Sequence, residues 1–221
     1  MLAMGIYPQP NLWQCGPFAL KHGLMMMGTF VDEKRIARVA GSSPWLGTNE
    51  YQLRRAAHHF RCAFPVIRRE DPDLARRALI AHLRRGRPCL VCINEWAHWV
   101  TLVKHERGQF IVLDSRDRAV LTLWNWPQLR RRWVYHPAEA GTRESRRAYY
   151  DFHPLVPQFR VQARAKLSVA RARFLSATGN RSLARRWDEY VKDLFELARV
   201  RTPLSENVLS MGEFLRRYEG L

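Results

Sequence analysis

Residues Pro88–Asp114 read PCLVCINEWAHWVTLVKHERGQFIVLD, and this stretch decides the fold. It holds three apolar runs, Pro88–Asn94, Trp99–Lys104 and Phe110–Leu113, each of strand length rather than helix length. Glu106-Arg107-Gly108, between the last two, is a tight-turn signal. Short apolar runs joined in this way predict the core of an antiparallel sheet.

Upstream, the pattern is helical. Gln14 to Gly28 reads as a helix stopped by its terminal glycine, and Asp32 can cap a second helix running to about Ala40. Thr48 can cap a third, through Phe60, with Leu53, Ala56, Ala57 and Phe60 on its apolar face. Ala63 to Arg68 is a short strand, and Asp71 to Arg85 an amphipathic helix closed by Gly86. Downstream, Ala119 to Leu123 adds a strand, Trp126 to Trp133 a helical turn or two, and Arg147 to Phe152 a final alternating strand. Helices first and sheet second make an α+β domain over residues 1–155. After Pro154-Leu-Val-Pro157 no strand is expected. Val161 to Arg201 and Glu206 to Tyr218, with Ser205 as a cap, read as a helical C-terminal extension over 156–221.

Composition narrows the partners. No stretch approaches the roughly 18 apolar residues of a membrane helix, and Met1 to Tyr7 does not read as a secretory signal. A cytoplasmic protein without membrane insertion is expected. The formal charge is +17, from 37 Lys and Arg against 20 Asp and Glu. That excess favours acidic partners or substrates. The arginines recur as scattered doublets, from Arg54-Arg55 to Arg216-Arg217, without a recognised nucleic-acid motif, so nucleic acid is the less favoured partner.

The four cysteines, at 15, 62, 89 and 92, are too irregularly spaced for a disulfide framework. Cys89 and Cys92 form a CxxC, but three residues apart on a strand they face opposite sides. They read as buried thiols, and no metal or cofactor is expected.

Cys15 differs, because it falls at the start of a helix, where the dipole and free amides stabilise a thiolate. Gly16 after it leaves room for a substrate backbone, and Pro17 suits a first helical turn. His98 opens the strand His-Trp-Val-Thr-Leu-Val, whereas His58 and His59 have an ordinary surface reading. A hairpin turning at Arg107-Gly108 brings Asp114 to a diagonal position from His98, roughly 7 to 8 Å away. Asp114 would then orient the imidazole while the other ring nitrogen faces the thiol. The alternative is that Asp114 caps the turn Asp114-Ser-Arg-Asp117. Gln9, six residues before the cysteine, can donate an amide hydrogen to an oxyanion alongside the Cys15 amide, with Gln14 as a rival donor.

Taken together, Gln9, Cys15-Gly16-Pro17-Phe-Ala-Leu20, Gly47-Thr48, His98-Trp99-Val100 and Val112-Leu113-Asp114 resemble the papain-like cysteine peptidases that process bacteriocin leaders after a double glycine, and their stand-alone relatives. The resemblance spans about residues 5 to 135. It implies a papain-like fold, hydrolysis of a peptide or protein substrate, and four roles: nucleophile for Cys15, base for His98, orienter for Asp114 and oxyanion donor for Gln9. Gln14 stands where that family often has aspartate. The same triad also serves acyltransferases, transglutaminase-like enzymes and glutamine deamidases. A basic noncatalytic module, holding a peptide or nucleic acid on a retired peptidase fold, is the reading from another class.

Overall fold

The computed structural model describes residues 6, 8–117, 120–136, 147–161, 167–177, 193 and 215. After a single 3-10 turn at Leu12–Gln14, three helices open the chain: α1 (Cys15–Met26), α2 (Glu33–Ala40) and α3 (Glu50–His59). There follow β1 (Cys62–Ala63), β2 (Ile67–Arg69), α4 (Pro72–Arg84), β3 (Cys89–Ile93), β4 (His98–Glu106), β5 (Gln109–Leu113) and β6 (Leu121–Asn125). The remaining described elements are α5 (Trp126–Trp133), β7 (Tyr150–Pro154), β8 (Val156–Pro157) and α6 (Val169–Ser176). The result is the expected α+β domain, helices first and antiparallel sheet second. Among the described residues no helix is long and apolar enough to cross a membrane.

Six strands form one antiparallel sheet in the order β2-β7-β3-β4-β5-β6. Strand alternation divides its side chains between two layers. Leu90, Cys92 and Trp99 pack with α1, α2 and α3, whereas Val91, Val100, Leu102, Phe110 and Val112 pack with α4 and α5. The apolar face of each helix explains its place: Ile36 of α2, Leu53 of α3 and Leu79 of α4 are fully buried. α1 is buried along its whole length, including Lys21, which pairs with Glu33 at 3.1 Å.

Several local expectations are corrected. The cap of α3 is Asn49, whose side chain forms a capping box with Gln52, while the Thr48 hydroxyl bonds to Ser42 at 2.7 Å. The Ala63–Arg68 segment splits into β1 and β2 around Pro65, which has no amide hydrogen for a ladder. β7 is buried throughout rather than alternating, because it lies between β2 and β3 in the sheet. β8, within the proline-bounded stretch Pro154-Leu-Val-Pro157 and ahead of the expected helix, pairs with β1. α6 docks Val169 and Ala172 against Ile111, Leu113 and Leu121, and Lys104 donates to the Leu167 carbonyl at 3.0 Å. Most of residues 156–221, including all but Leu215 of the helix expected over Glu206–Tyr218, lies outside the described residues.

Candidate active site

Three elements bring Cys15, His98 and Asp114 together. Cys15 is the first residue of α1, and Gln14 at the N-cap gives no side-chain cap, so the helix amides stay available to a thiolate. His98 opens β4, and Asp114 follows the last residue of β5. With Thr101 opposite Leu113, Asp114 falls opposite Val100, two residues from His98. The turn alone, pairing Glu106 with Gln109, would set Asp114 opposite Thr101; the register shift between Leu102 and Lys104 moves it by one residue into the diagonal position from His98. The turn itself is tight, with Arg107 and Gly108 at φ 51° and 74°.

His98 Nε2 lies 2.5 Å from Asp114 Oδ1, with both groups buried. The same carboxylate oxygen accepts the Arg116 backbone N–H at 3.0 Å. Asp114 therefore caps its turn and orients the imidazole at once. The other nitrogen, Nδ1, is buried with no complete hydrogen bond among the described residues. It is left for the Cys15 thiol, which is near enough for each group to shift the other's proton affinity.

Those shifts set the chemistry. Burial pushes the Cys15 thiol up, but the His98 hydrogen bond, the Trp99 amide and the charge of His98 outweigh it and leave the thiol below its ordinary value. Burial pushes His98 down, and its bonds to Asp114 and Cys15 carry it above its ordinary value. Burial would raise Asp114, yet the His98 bond and charge and the Arg116 amide hold it below the usual carboxylate range. Both shifts run in the direction of a thiolate–imidazolium pair.

The other three thiols go the opposite way. Burial pushes Cys62 up to about 11, and pushes Cys89 and Cys92 higher still. Cys89 packs in the α4 layer and Cys92 in the α1 layer, so the CxxC does not converge on one ligand. Among the described residues no cluster of His, Cys, Asp and Glu could hold a metal ion.

Gln9 is tied to the same corner. Its backbone N–H donates to the Ser115 carbonyl at 2.8 Å, and its Oε1 accepts the Ser115 hydroxyl at 2.6 Å. Its amide nitrogen is turned to the carbonyls of Asn11 and Leu12, at 2.8 and 3.1 Å. Gln14 is buried beside Cys15, with Oε1 unpartnered among the described residues.

The sequence reading of Gly16 as room for a substrate backbone is corrected. A Cβ there would lie 2.7 Å from the Thr48 Cβ, so glycine serves close packing between α1 and the loop before α3. Trp99 belongs to the site through its indole N–H, which meets the Thr48 carbonyl at 2.9 Å. A tryptophan beside a buried strand gives no sequence signal of that role.

No protein-family model and no curated protein matches the chain. Solved structures do. One is a double-glycine-motif protease from an AMS/PCAT transporter in complex with the leader peptide, at 17% identity and TM-score 0.48, covering 67% of this chain and 90% of that one. Another is the peptidase domain of Streptococcus ComA, a bi-functional ABC transporter involved in a quorum-sensing pathway, at 16% identity and TM-score 0.49, covering 71% and 100%. The peptidase domain of Streptococcus mutans ComA is similar at 15% identity and TM-score 0.42, covering 66% and 98%.

Proposed function

We propose that this chain is a cysteine peptidase that cleaves a peptide bond through an acyl-enzyme. Support comes above all from the 2.5 Å contact of His98 Nε2 with Asp114, which leaves Nδ1 to the one thiol whose proton affinity is lowered. The Cys15 thiolate attacks the substrate carbonyl, and the His98 imidazolium returns its proton to the leaving amine. The resulting neutral His98 then draws a proton from water, which releases the acid. Asp114 keeps the ring in one tautomer and stabilises its charged form. The Cys15 backbone amide supplies one oxyanion donor. Gln9 supplies the other once its amide turns from the Asn11 and Leu12 carbonyls. A reducing compartment such as the cytoplasm suits a mechanism that needs a free thiol. Residues 1–155 form the catalytic domain in this proposal, with 156–221 as an extension to it.

The first experiment is iodoacetamide labelling of the native protein at about pH 6, followed by assay of synthetic peptides carrying a double glycine at the cleavage point. An ordinary thiol, with pKa near 8.5, is almost unreactive at that pH. Rapid labelling confined to Cys15, and peptide hydrolysis lost in Cys15→Ala, are expected. Hydrolysis that persists in Cys15→Ala overturns the proposal.

A further inference from the structure

The turn that launches His98 is conformationally expensive. Between β3 and β4, Asn94, Glu95 and Trp96 stand at φ 55°, 54° and 63°, a run of left-handed residues without a glycine among them. L-residues avoid that region because Cβ crowds the following carbonyl, and such conformations persist only where surrounding structure enforces them. Ala97 follows, its N–H bonded back to the Ile93 carbonyl at 3.0 Å, and the next residue is His98.

Each of the three strained residues is held by the segment that ends α5. The Asn94 N–H donates to the Arg132 carbonyl at 2.7 Å. The Glu95 carboxylate accepts the His136 backbone N–H through Oε2 and meets His136 Nδ1 through Oε1, both at 2.9 Å. Trp96 stacks on Tyr135, with ring centres 4.9 Å apart and planes 28° from parallel. Tyr135 is itself fixed to Tyr149, just before β7, by backbone bonds of 3.0 and 2.8 Å. The load path therefore runs from the sheet through Tyr149 and Tyr135 to the turn, and from the turn to the imidazole.

We infer that Glu95, with His136 and Tyr135, is a positioning group of the active site, bracing the strained turn so that His98 Nδ1 stays aimed at Cys15. This inference rests on the thiolate–imidazolium pair but not on the identity of the substrate. A turn released from its brace relaxes toward ordinary backbone angles and carries the start of β4 with it. The bond to Asp114 would then loosen, and Cys15 would lose the partner that lowers its proton affinity.

The test is the pH profile of Cys15 alkylation by iodoacetamide in wild type, Glu95→Ala and Glu95→Gln. In Glu95→Ala, labelling at pH 6 is expected to fall about tenfold, as for a rise of about one pH unit in the thiol. Labelling at pH 9.5, where any exposed thiol is largely ionised, stays at the wild-type rate. Glu95→Gln keeps an oxygen for the His136 N–H and restores most of the rate at pH 6. Amide hydrogen exchange over residues 94–99, faster in Glu95→Ala than in wild type, locates the loosening in the turn, and Tyr135→Leu repeats the effect should Glu95→Ala fold poorly. Wild-type labelling at pH 6 in a folded Glu95→Ala overturns the inference, as does a wild-type protein with no labelling there. Labelling as expected, without hydrolysis of any peptide, leaves the brace standing and removes the peptidase assignment.

Discussion

Trp99 donates its indole N–H to the carbonyl of Thr48 at 2.9 Å, so the residue after His98 is tied to the loop that packs against the residue after Cys15. The two halves of the site come from distant parts of the chain, α1 and β4. A buried hydrogen bond from β4 to the loop packed on α1 sets their spacing more sharply than apolar packing alone, because it is directional. The Trp99 ring also contacts His153 edge-on at 5.4 Å, and His153 stacks on Phe64 at 4.7 Å, so the indole has little freedom to swing.

Trp99→Phe tests that tie. Phenylalanine keeps most of the buried ring but leaves the Thr48 carbonyl without its donor, and the loss is expected to be about 1 kcal/mol of stability. Activity should fall through kcat rather than KM, since spacing of the reacting groups is lost while substrate contacts persist. Urea titration and steady-state kinetics measure the two effects. A variant with unchanged kcat would show that the spacing is set elsewhere.

Gly16→Ala strikes the same joint from the other side. The added Cβ meets Thr48 at 2.7 Å, so helix and loop must separate, at about 1 to 3 kcal/mol for an overpacked contact. Thr48→Gly removes the obstructing side chain. In a double-mutant cycle the pair should therefore lose less stability than the two single changes summed, and strict additivity would refute the contact.

The active pair predicts a bell-shaped pH profile with a definite response to Asp114→Asn. The lowered Cys15 forms its thiolate at lower pH than an ordinary thiol and loses it as pH falls through that lowered value. The raised His98 holds its charge to higher pH than an ordinary imidazole and loses it as pH rises through its raised value. Asparagine removes the bond and charge that hold His98 up. The alkaline limb then moves to lower pH, and the acid limb to higher pH as the thiolate loses imidazolium support. A narrower bell with a lower maximum is expected from kcat/KM against pH, and a profile of unchanged width would exclude Asp114 as orienter.

Gln9→Ala should lower kcat by on the order of a hundredfold if its amide serves the oxyanion, with little change in KM. Gln14→Ala, measured in parallel, should lower it far less. The reverse ranking would move the donor to Gln14, already buried beside Cys15.

Much of the site is legible in the sequence because short-range rules carry it. The turn at Arg107-Gly108 brings Asp114 within a few residues of His98 across the hairpin, and the register shift between Leu102 and Lys104 completes the diagonal. Cys15 is marked by its helix start, and its thiol differs from Cys62, Cys89 and Cys92 because only it has an imidazole beside it. What escapes is non-local or carries no residue signature. The register shift between Leu102 and Lys104 leaves no glycine or proline to mark it. β1 and β8, two residues each, are too short for periodicity. The left-handed turn at Asn94–Trp96 has no glycine, since its conformation is imposed by Arg132, Tyr135 and His136 from another part of the chain. Asn49 was readable, because Gln52 three residues later completes its capping box, but Thr48 competes with it as an equally good cap by type.

His22 predicts acid sensitivity away from the chemistry. It lies in α1, fully buried, with neither ring nitrogen hydrogen-bonded among the described residues, and burial together with Lys21 lowers it to about 3 despite the opposing charge of Asp114. In the unfolded chain a histidine takes up its proton near pH 6.5. Between those two values the unfolded state binds a proton that the folded state refuses, so folding stability falls as pH drops from about 6.5 toward 3, at most about 1.4 kcal/mol per pH unit. His153, lowered to about 4 by burial with Arg54 and Arg68, adds a second contribution of the same sign. His22→Leu keeps an apolar side chain of similar size and removes the titrating group. Its urea midpoint at pH 7 should equal or exceed wild type, and its midpoint should decline less steeply between pH 6.5 and 4. Parallel curves for the two proteins would show that His22 takes up its proton in the folded state without penalty.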